Sequence, residues 1–328
     1  MVNDVATIYV QLKDSEGNVS DPVMHEVPYD SPVVMLSMAN GAEYSSVTSS
    51  VNLIYSATDK GNITQYSLFI DGVKVTTDEY SYGWGDALSL SYTLGLSYMS
   101  SGTHKIKATF WDSARNEGSK EITFTINRTV NTSGLAGTAF DATTGQLLND
   151  SDTIYLWHLD SDGKEVVDST ATLESYSSSE GGLSGYASSV SSYETIDLNL
   201  DAAFSLEFWR KGRDTLVIYK NGVFDIRESY FNWNKKSAGG SVSSDSIWNI
   251  PWGDDDTWHF WSFVVNGNYA AIYCDGKLIN YKVSSTLNTN NNKIRISANN
   301  IDELRISSVA RSADEIAAYY AVAKDKIQ

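Results

Sequence analysis

The chain has 328 residues, 41% of them hydrophobic and 12% aromatic, enough to bury real cores and more than one ordinary domain requires. Asp and Glu outnumber Lys and Arg by 41 to 24, a formal net charge of −17, which disfavours nucleic acid and anionic membrane as partners and suits cations. One cysteine, Cys274, excludes an intramolecular disulfide, and no apolar run approaches the ~20 residues of a membrane-spanning helix.

The opening MVNDVATIYV lacks a basic region followed by an apolar stretch and does not read as a signal peptide. Export by another route, membership of a longer polypeptide, or release by lysis as virus particles are would each fit. The segment ATIYVQLKDSEGNVSD, from Ala6, aligns without a gap on HKIKATFWDSARNEGS, from His104, at an offset of 98 residues. Ile8 falls on Ile106, Leu12 on Phe110, Asp14 on Asp112 and Asn18 on Asn116. Each copy predicts strand, D-S-x-x-N turn, strand, because Asp and Asn side chains bond the adjacent backbone and tolerate left-handed dihedrals. An offset of that size is about the length of an immunoglobulin-type sandwich. Residues 1–28 therefore read as the closing hairpin of a sandwich whose earlier strands are missing. The hairpin belongs to a domain cut short, folds on its neighbour, or completes a sheet in another subunit. Ile8, Val10 and Leu12 are apolar enough to need cover, so they are the candidate assembly residues.

Residues 29–129 complete one domain. Val51, Leu53 and Tyr55 alternate, and Asp71-Gly72 is the dipeptide that two-residue hairpin turns prefer. With its xDSxGNxS-like turn before a last strand, this stretch resembles the bacterial immunoglobulin-like modules of surface adhesins and phage tail proteins. Its DEYSYGWGDA loop presents Tyr82 and Trp84 as candidate sugar-stacking rings.

Residues 128–145 are small and polar and read as a lead-in to a larger β domain, 130–328. TIYLWHL alternates from Thr153. FSLEFWRK sets Phe204, Leu206 and Phe208 on one side, and TWHFWSFVVNGNYAAIYCDGKLINYKV reads as three strands with tight turns. These segments, followed by IDELRISSVARSADEIAAYY, resemble a laminin-G-like, concanavalin A-like jelly roll over residues 134–325. The resemblance implies a last strand beside the first, then a short helix. The residues imply the helix independently: Ser312 and Glu315 form a capping box, and Ile316, Tyr319, Tyr320 and Ala323 make one apolar stripe. That helix is expected to lid an end or edge of the sandwich. The fold class is thus all-β, an immunoglobulin-like sandwich followed by a concanavalin A-like jelly roll with a short C-terminal helix.

Among candidate chemistry, the Asp302-Glu303 pair opens the last strand. Related jelly rolls carry Ca²⁺ at such a step, which implies Asp302 and Asp168 as ligands. The alternative is a solvated acidic turn, or pairing with Arg305 or Arg311. No enzyme is expected. The E-x-D-x-x-E string that faces two carboxylates into one groove is absent, the four histidines are scattered, and Cys274 reads as a small core residue. Trp233 and Trp248 suit the core, whereas Trp252, between Pro251 and Gly253, suits a loop and a sugar face. These features predict a non-catalytic adhesion or structural subunit of a phage particle or bacterial surface assembly. Its partners would be other subunits and host-surface glycans, with no nucleic acid and no membrane insertion. A carbohydrate-binding appendage of a larger secreted enzyme is the alternative.

Overall fold

The computed structural model describes residues 4–45, 48–76, 84–128, 139–159, 176–180, 186–197, 203–212, 215–220, 223–227, 230–236, 242–248, 250, 256–266, 269–283 and 293–327. The chain divides into two units, Met1–Leu96 with Gly102–Asn127, and Ser97–Ser101 with Arg128–Gln328.

The first unit begins with β1 (Asp4–Val10) and β2 (Val23–Tyr29), an antiparallel pair that forms a sheet of its own. There follow β3 (Val33–Leu36), β4 (Ala42–Ser45), β5 (Val51–Thr58), β6 (Ile63–Ile70), β7 (Val73–Lys74), β8 (Ala87–Leu94), β9 (Gly102–Asp112) and β10 (Glu117–Asn127). They make two sheets, ordered β4-β10-β9-β6-β7 and β3-β5-β8. Alternation buries Leu53, Tyr55 and Ala57 of β5, Ile106, Ala108 and Phe110 of β9, and Ile122, Phe124 and Ile126 of β10. Tyr55 meets Tyr66 and Phe110 of the other sheet at ring-centroid distances of 6.1 Å, which closes a sandwich. Asp71 and Gly72 take φ of 51° and 86°, as the predicted two-residue turn requires.

The second unit contains β11 (Thr153–Trp157), β12 (Tyr176–Glu180), β13 (Tyr186–Asp197), β14 (Ala203–Lys211), β15 (Leu216–Lys220), β16 (Phe224–Arg227), β17 (Tyr230–Lys236) and β18 (Val242–Trp248). After these come β19 (Trp258–Asn266), β20 (Tyr269–Cys274), β21 (Lys277–Val283), β22 (Lys293–Ser307) and the helix α1 (Ala313–Ala323). β22 runs through the middle of one twelve-stranded network and joins its two halves. Its first part pairs with β13 and β15, from which β16, β17 and β18 continue. Its last part pairs with β14 and β11, and β14 leads to β19, β20 and β21. The strand turns the corner through Asn300 and Glu303, whose φ values are 49° and 52°. Strands that pass between packed sheets bend at such irregular points. The core enclosed takes Phe204, Leu206 and Phe208 from β14, Phe231 and Trp233 from β17, Trp261 and Phe263 from β19, and Ile296 and Leu304 from β22. Trp233 is core, as expected; the Trp248 side chain is outside the described residues.

A second core lies on the other face of β14 and β19. α1 contributes Ala313, Ile316, Tyr319 and Ala323, which pack with Trp209, Phe260, Val264, Ala271 and Tyr273. The capping box is formed: Ser312 Oγ accepts Glu315 N–H at 3.2 Å, and Glu315 Oε2 accepts Ser312 N–H at 2.7 Å. Tyr319 accepts the Trp209 indole N–H at 2.9 Å, and burial pushes its phenol well above the ordinary range. The helix therefore covers a sheet face rather than an end or edge, because β14 is buried on both sides: Phe208 belongs to the first core and Trp209, next to it on the alternate face, to the second. Part of the expected lead-in also joins it. Phe140 bridges Leu147 around a turn in which Asp141 Oδ1 accepts the Thr143 and Thr144 N–H groups, and Ala139, Phe140 and Leu147 are buried under the helix.

Candidate functional site

The repeated turn folds alike in both copies. Asp14 Oδ1 accepts Asn18 N–H at 2.9 Å and Asp14 Oδ2 accepts the Asn18 amide at 2.9 Å. Asp112 and Asn116 repeat both bonds at 2.8 Å. The bridge Lys13↔Val19 also matches its counterpart, Trp111↔Glu117. Beyond that point the copies part. β9 and β10 keep one register throughout, whereas the first hairpin has slipped by one residue when it reaches Val10↔Val23. A bulge of residues 20–22 against 11–12 produces the slip, with Ser20 N–H on Leu12 O and Leu12 N–H on Ser20 Oγ. Because side chains alternate, one residue of slip exchanges the faces of β2. Val23 thereby joins Ile8, Val10 and Leu12 on one face, and Met24 stands beside Tyr9 on the other.

Burial separates the copies further. Ile106, Ala108 and Phe110 are 0% exposed, while Ile8, Val10 and Leu12 at the equivalent positions are 48%, 51% and 75% exposed. Tyr9, Val19, Val23 and Met24 are exposed as well. Among the described residues β1 and β2 pair only with each other, so both outer edges carry backbone groups that no strand takes up. An apolar ribbon with two open edges can add to another sheet and bury its face there. The sequence singled out Ile8, Val10 and Leu12; it did not disclose Val23, which only the bulge brings to that face.

The other candidate residues lie apart from this surface. Trp84 is half-buried beside β8; its ring rests on Tyr66 at 5.6 Å and its backbone N–H donates to Ile63 O at 2.9 Å. Tyr82, Trp252 and Asp168 are outside the described residues. Asp302 is fully buried at the corner of β22. Its Oδ1 accepts Glu303 N–H at 3.0 Å. Glu303, also buried and in the left-handed region, accepts Leu147 N–H at 2.7 Å on Oε2 and faces His158 Nδ1 at 2.7 Å through Oε1. A long side chain in that backbone region is held by its surroundings, here by these bonds. The arginines considered as partners go elsewhere. Arg305 pairs with Glu207 at 2.7 Å and Arg311 with Asp150 at 2.7 Å. Burial raises the Asp150 carboxyl, but hydrogen bonds and charge from Arg311 outweigh it and bring it down to about 2. The pair at the corner is thus a buried brace rather than a solvated turn. Its carboxylate oxygens are also the donors that Ca²⁺ takes.

Residues 32–108 match the family model of a bacterial Ig domain. No curated protein matches the chain. Among solved structures, the receptor-binding domain of botulinum neurotoxin type G is similar at 15% identity and a TM-score of 0.37, over 52% of this chain and 51% of that one. Domain 4 of AbnA, a GH43 extracellular arabinanase from Geobacillus stearothermophilus in complex with arabinotriose, has 15% identity and a TM-score of 0.37 over 52% of this chain and 98% of its own. Sheep galectin-11 in complex with glycerol has 10% identity and a TM-score of 0.25, over 34% and 92%. The chain spans about half the length of the botulinum structure. At those scores nothing about a ligand passes from these proteins to this one. Fold and family model together define an all-β protein, with a two-sheet unit in which residues 32–108 match a bacterial Ig domain, followed by a twelve-stranded unit and a short helix. No helix among the described residues is long and apolar enough to cross a membrane.

Proposed function

We propose that the chain is a non-catalytic adhesion or structural subunit, built into a phage particle as tail, fibre or capsid decoration or into a bacterial surface assembly, and that it binds host-surface glycan or protein. The observation that carries this reading is the amino-terminal hairpin. Three positions that are core in one copy of a repeat lie open in the other, on a ribbon whose two edges pair with no other strand among the described residues. The partner it fits is the sheet of another subunit, which would extend the ribbon by strand addition and cover Ile8, Val10, Leu12 and Val23. The bacterial Ig match agrees with a modular surface protein. Trp84, Tyr82 and Trp252 are the proposed sugar-facing rings.

The test is Ile8→Ser, Val10→Ser and Leu12→Ser together in the intact chain, followed by sedimentation and by incorporation into the native assembly. These residues are about half exposed or more, so the fold should persist while association fails. Unchanged assembly would remove the proposal. Binding of the intact chain to soluble polysaccharide with no self-association would favour the appendage of a secreted enzyme instead.

A further inference from the structure

Asp275 and Gly276 form the turn from β20 to β21, both in left-handed backbone with φ of 52° and 74°. A side chain at 276 would meet Ala317 Cα of α1 at 3.1 Å, so the helix seats the turn closely. This fixes Asp275. Its Oδ1 accepts Phe260 N–H at 3.0 Å, and its Oδ2 lies 2.8 Å from Nδ1 of His259 on the neighbouring strand. The register Trp261↔Cys274 brings the thiol to the same place. One ligand atom from each of His259, Cys274 and Asp275 lies within 4.8 Å of the other two, and all three residues are half-buried.

Sulfur, imidazole nitrogen and carboxylate oxygen together are donors that Zn²⁺ takes tetrahedrally, with water in a fourth position when the protein supplies three. Bond lengths put ligand atoms in such a site roughly 3.3–3.8 Å apart. The longest separation in the cluster needs to close by about an ångström at most, and the His259–Asp275 pair, now 2.8 Å apart, to open by about half an ångström, which side-chain rotation supplies. Thr257 Oγ1 is 3.0 Å from His259 Nε2. With Nδ1 on a metal, Nε2–H donates to that hydroxyl, the outer bond that metal-bound histidines make. The cation would stand where a proton now links His259 and Asp275, and it would expel the thiol proton, so affinity falls as the pH is lowered. We propose that His259, Cys274 and Asp275 bind one Zn²⁺-class ion that ties β19 and β20 to the turn beneath α1. This site is separate from the hairpin and does not depend on the adhesion reading.

The experiment titrates the reduced, intact chain with Co²⁺. With a single cysteine in the sequence, thiolate-to-cobalt charge-transfer absorption can come only from Cys274. Saturation at one ion per chain, displacement by Zn²⁺, and slower modification of the thiol in the presence of Zn²⁺ are expected. Cys274→Ser should abolish the absorption, His259→Ala and Asp275→Asn should weaken binding, and His104→Ala, in the His104–Asp71 pair, should change nothing. Thiol protection is measured on the unaltered chain, so a variant that misfolds does not blur the outcome. Absence of the charge-transfer band, thiol reactivity indifferent to Zn²⁺, or His259→Ala binding Co²⁺ as tightly as the original chain would each overturn the proposal.

Discussion

Replacing Arg305 by Met puts the buried corner of the second unit to the test. The guanidinium and the Glu207 carboxylate are 3% and 1% exposed, and Arg305 Nε and Nη2 reach the same oxygen, Glu207 Oε2, at 2.8 and 2.7 Å. Nη1 donates to Ala139 O at 2.9 Å and to Leu148 O at 3.4 Å, which pins the 139–148 segment beneath α1. Taking one partner from a buried ion pair leaves a desolvated charge and is worth ~3–5 kcal/mol of stability. Removing both charges with Glu207→Leu plus Arg305→Met takes away the stranded charge. What then remains is the two carbonyls without their donor, about 1–3 kcal/mol. Urea unfolding followed by tryptophan fluorescence measures both variants, since Trp157, Trp209, Trp233 and Trp261 are all buried in the second unit. The single variant should lose several kcal/mol and the double should recover much of it. A loss below about 1 kcal/mol in the single, or a double variant no better than the single, would refute the view that desolvation of Glu207 dominates.

Other expectations follow from the same geometry. Asp150 is held at about 2 by Arg311, below its unfolded value, so its contribution is present above that value and is lost as pH falls from about 4 towards 2. Asp150→Asn should flatten the fall in the urea midpoint across that window. If Asp302 ligates Ca²⁺ together with Asp168, EDTA should lower the Tm of the intact chain and Asp302→Asn should abolish the response; linkage gives ~2.7 kcal/mol at a hundredfold excess over Kd. An unchanged Tm would dismiss the ion. Trp84→Ala should cost the first unit roughly 0.5–1.5 kcal/mol through its lost ring contact with Tyr66. If the ring also stacks on sugar, the same variant should weaken adhesion to host cells; equal adhesion would assign Trp84 to packing alone.

The features legible from sequence were those whose causes are local. The D-S-x-x-N turns and the Ser312–Glu315 capping box are set by side chains within four positions of the backbone they bond. The corner at Asp302–Glu303 was visible only as an acidic pair open to several readings, none of which named His158 or Leu147. Its explanation lies far along the chain, with His158 and Leu147 at 145 and 156 positions away. The second core was hidden by composition, since Phe140 and Leu147 are spaced apolar residues in a small, polar stretch. Alternation in β14 pointed to one buried face, yet Ser205, Glu207 and Trp209 on the other are buried too. The cluster at His259, Cys274 and Asp275 needed the cross-strand register and a left-handed turn residue before scattered histidines and a lone thiol became neighbours.

The two hairpins make the same point within one molecule. Their turns match in both side-chain bonds of the Asp–Asn pair, so this much of the fold is carried by four or five residues wherever they stand. Burial is not carried in that way. β9 and β10 lie against a second sheet, and Gly118 is required there because a Cβ would stand 1.8 Å from Pro32 O. The matching residue in the first copy is Ser20, whose hydroxyl instead bonds Leu12 N–H and helps to form the bulge. A change from Gly to Ser thus coincides with a change from a strand pressed on its neighbour to one that is bulged and open. The bulge also moves Val23 to the side of Val10 and widens the apolar face. A mere remnant of a sandwich would be expected to keep the register of its counterpart and lose its apolar residues. This hairpin has a different register and a broader apolar face, which is the form that an element for docking on another sheet would take.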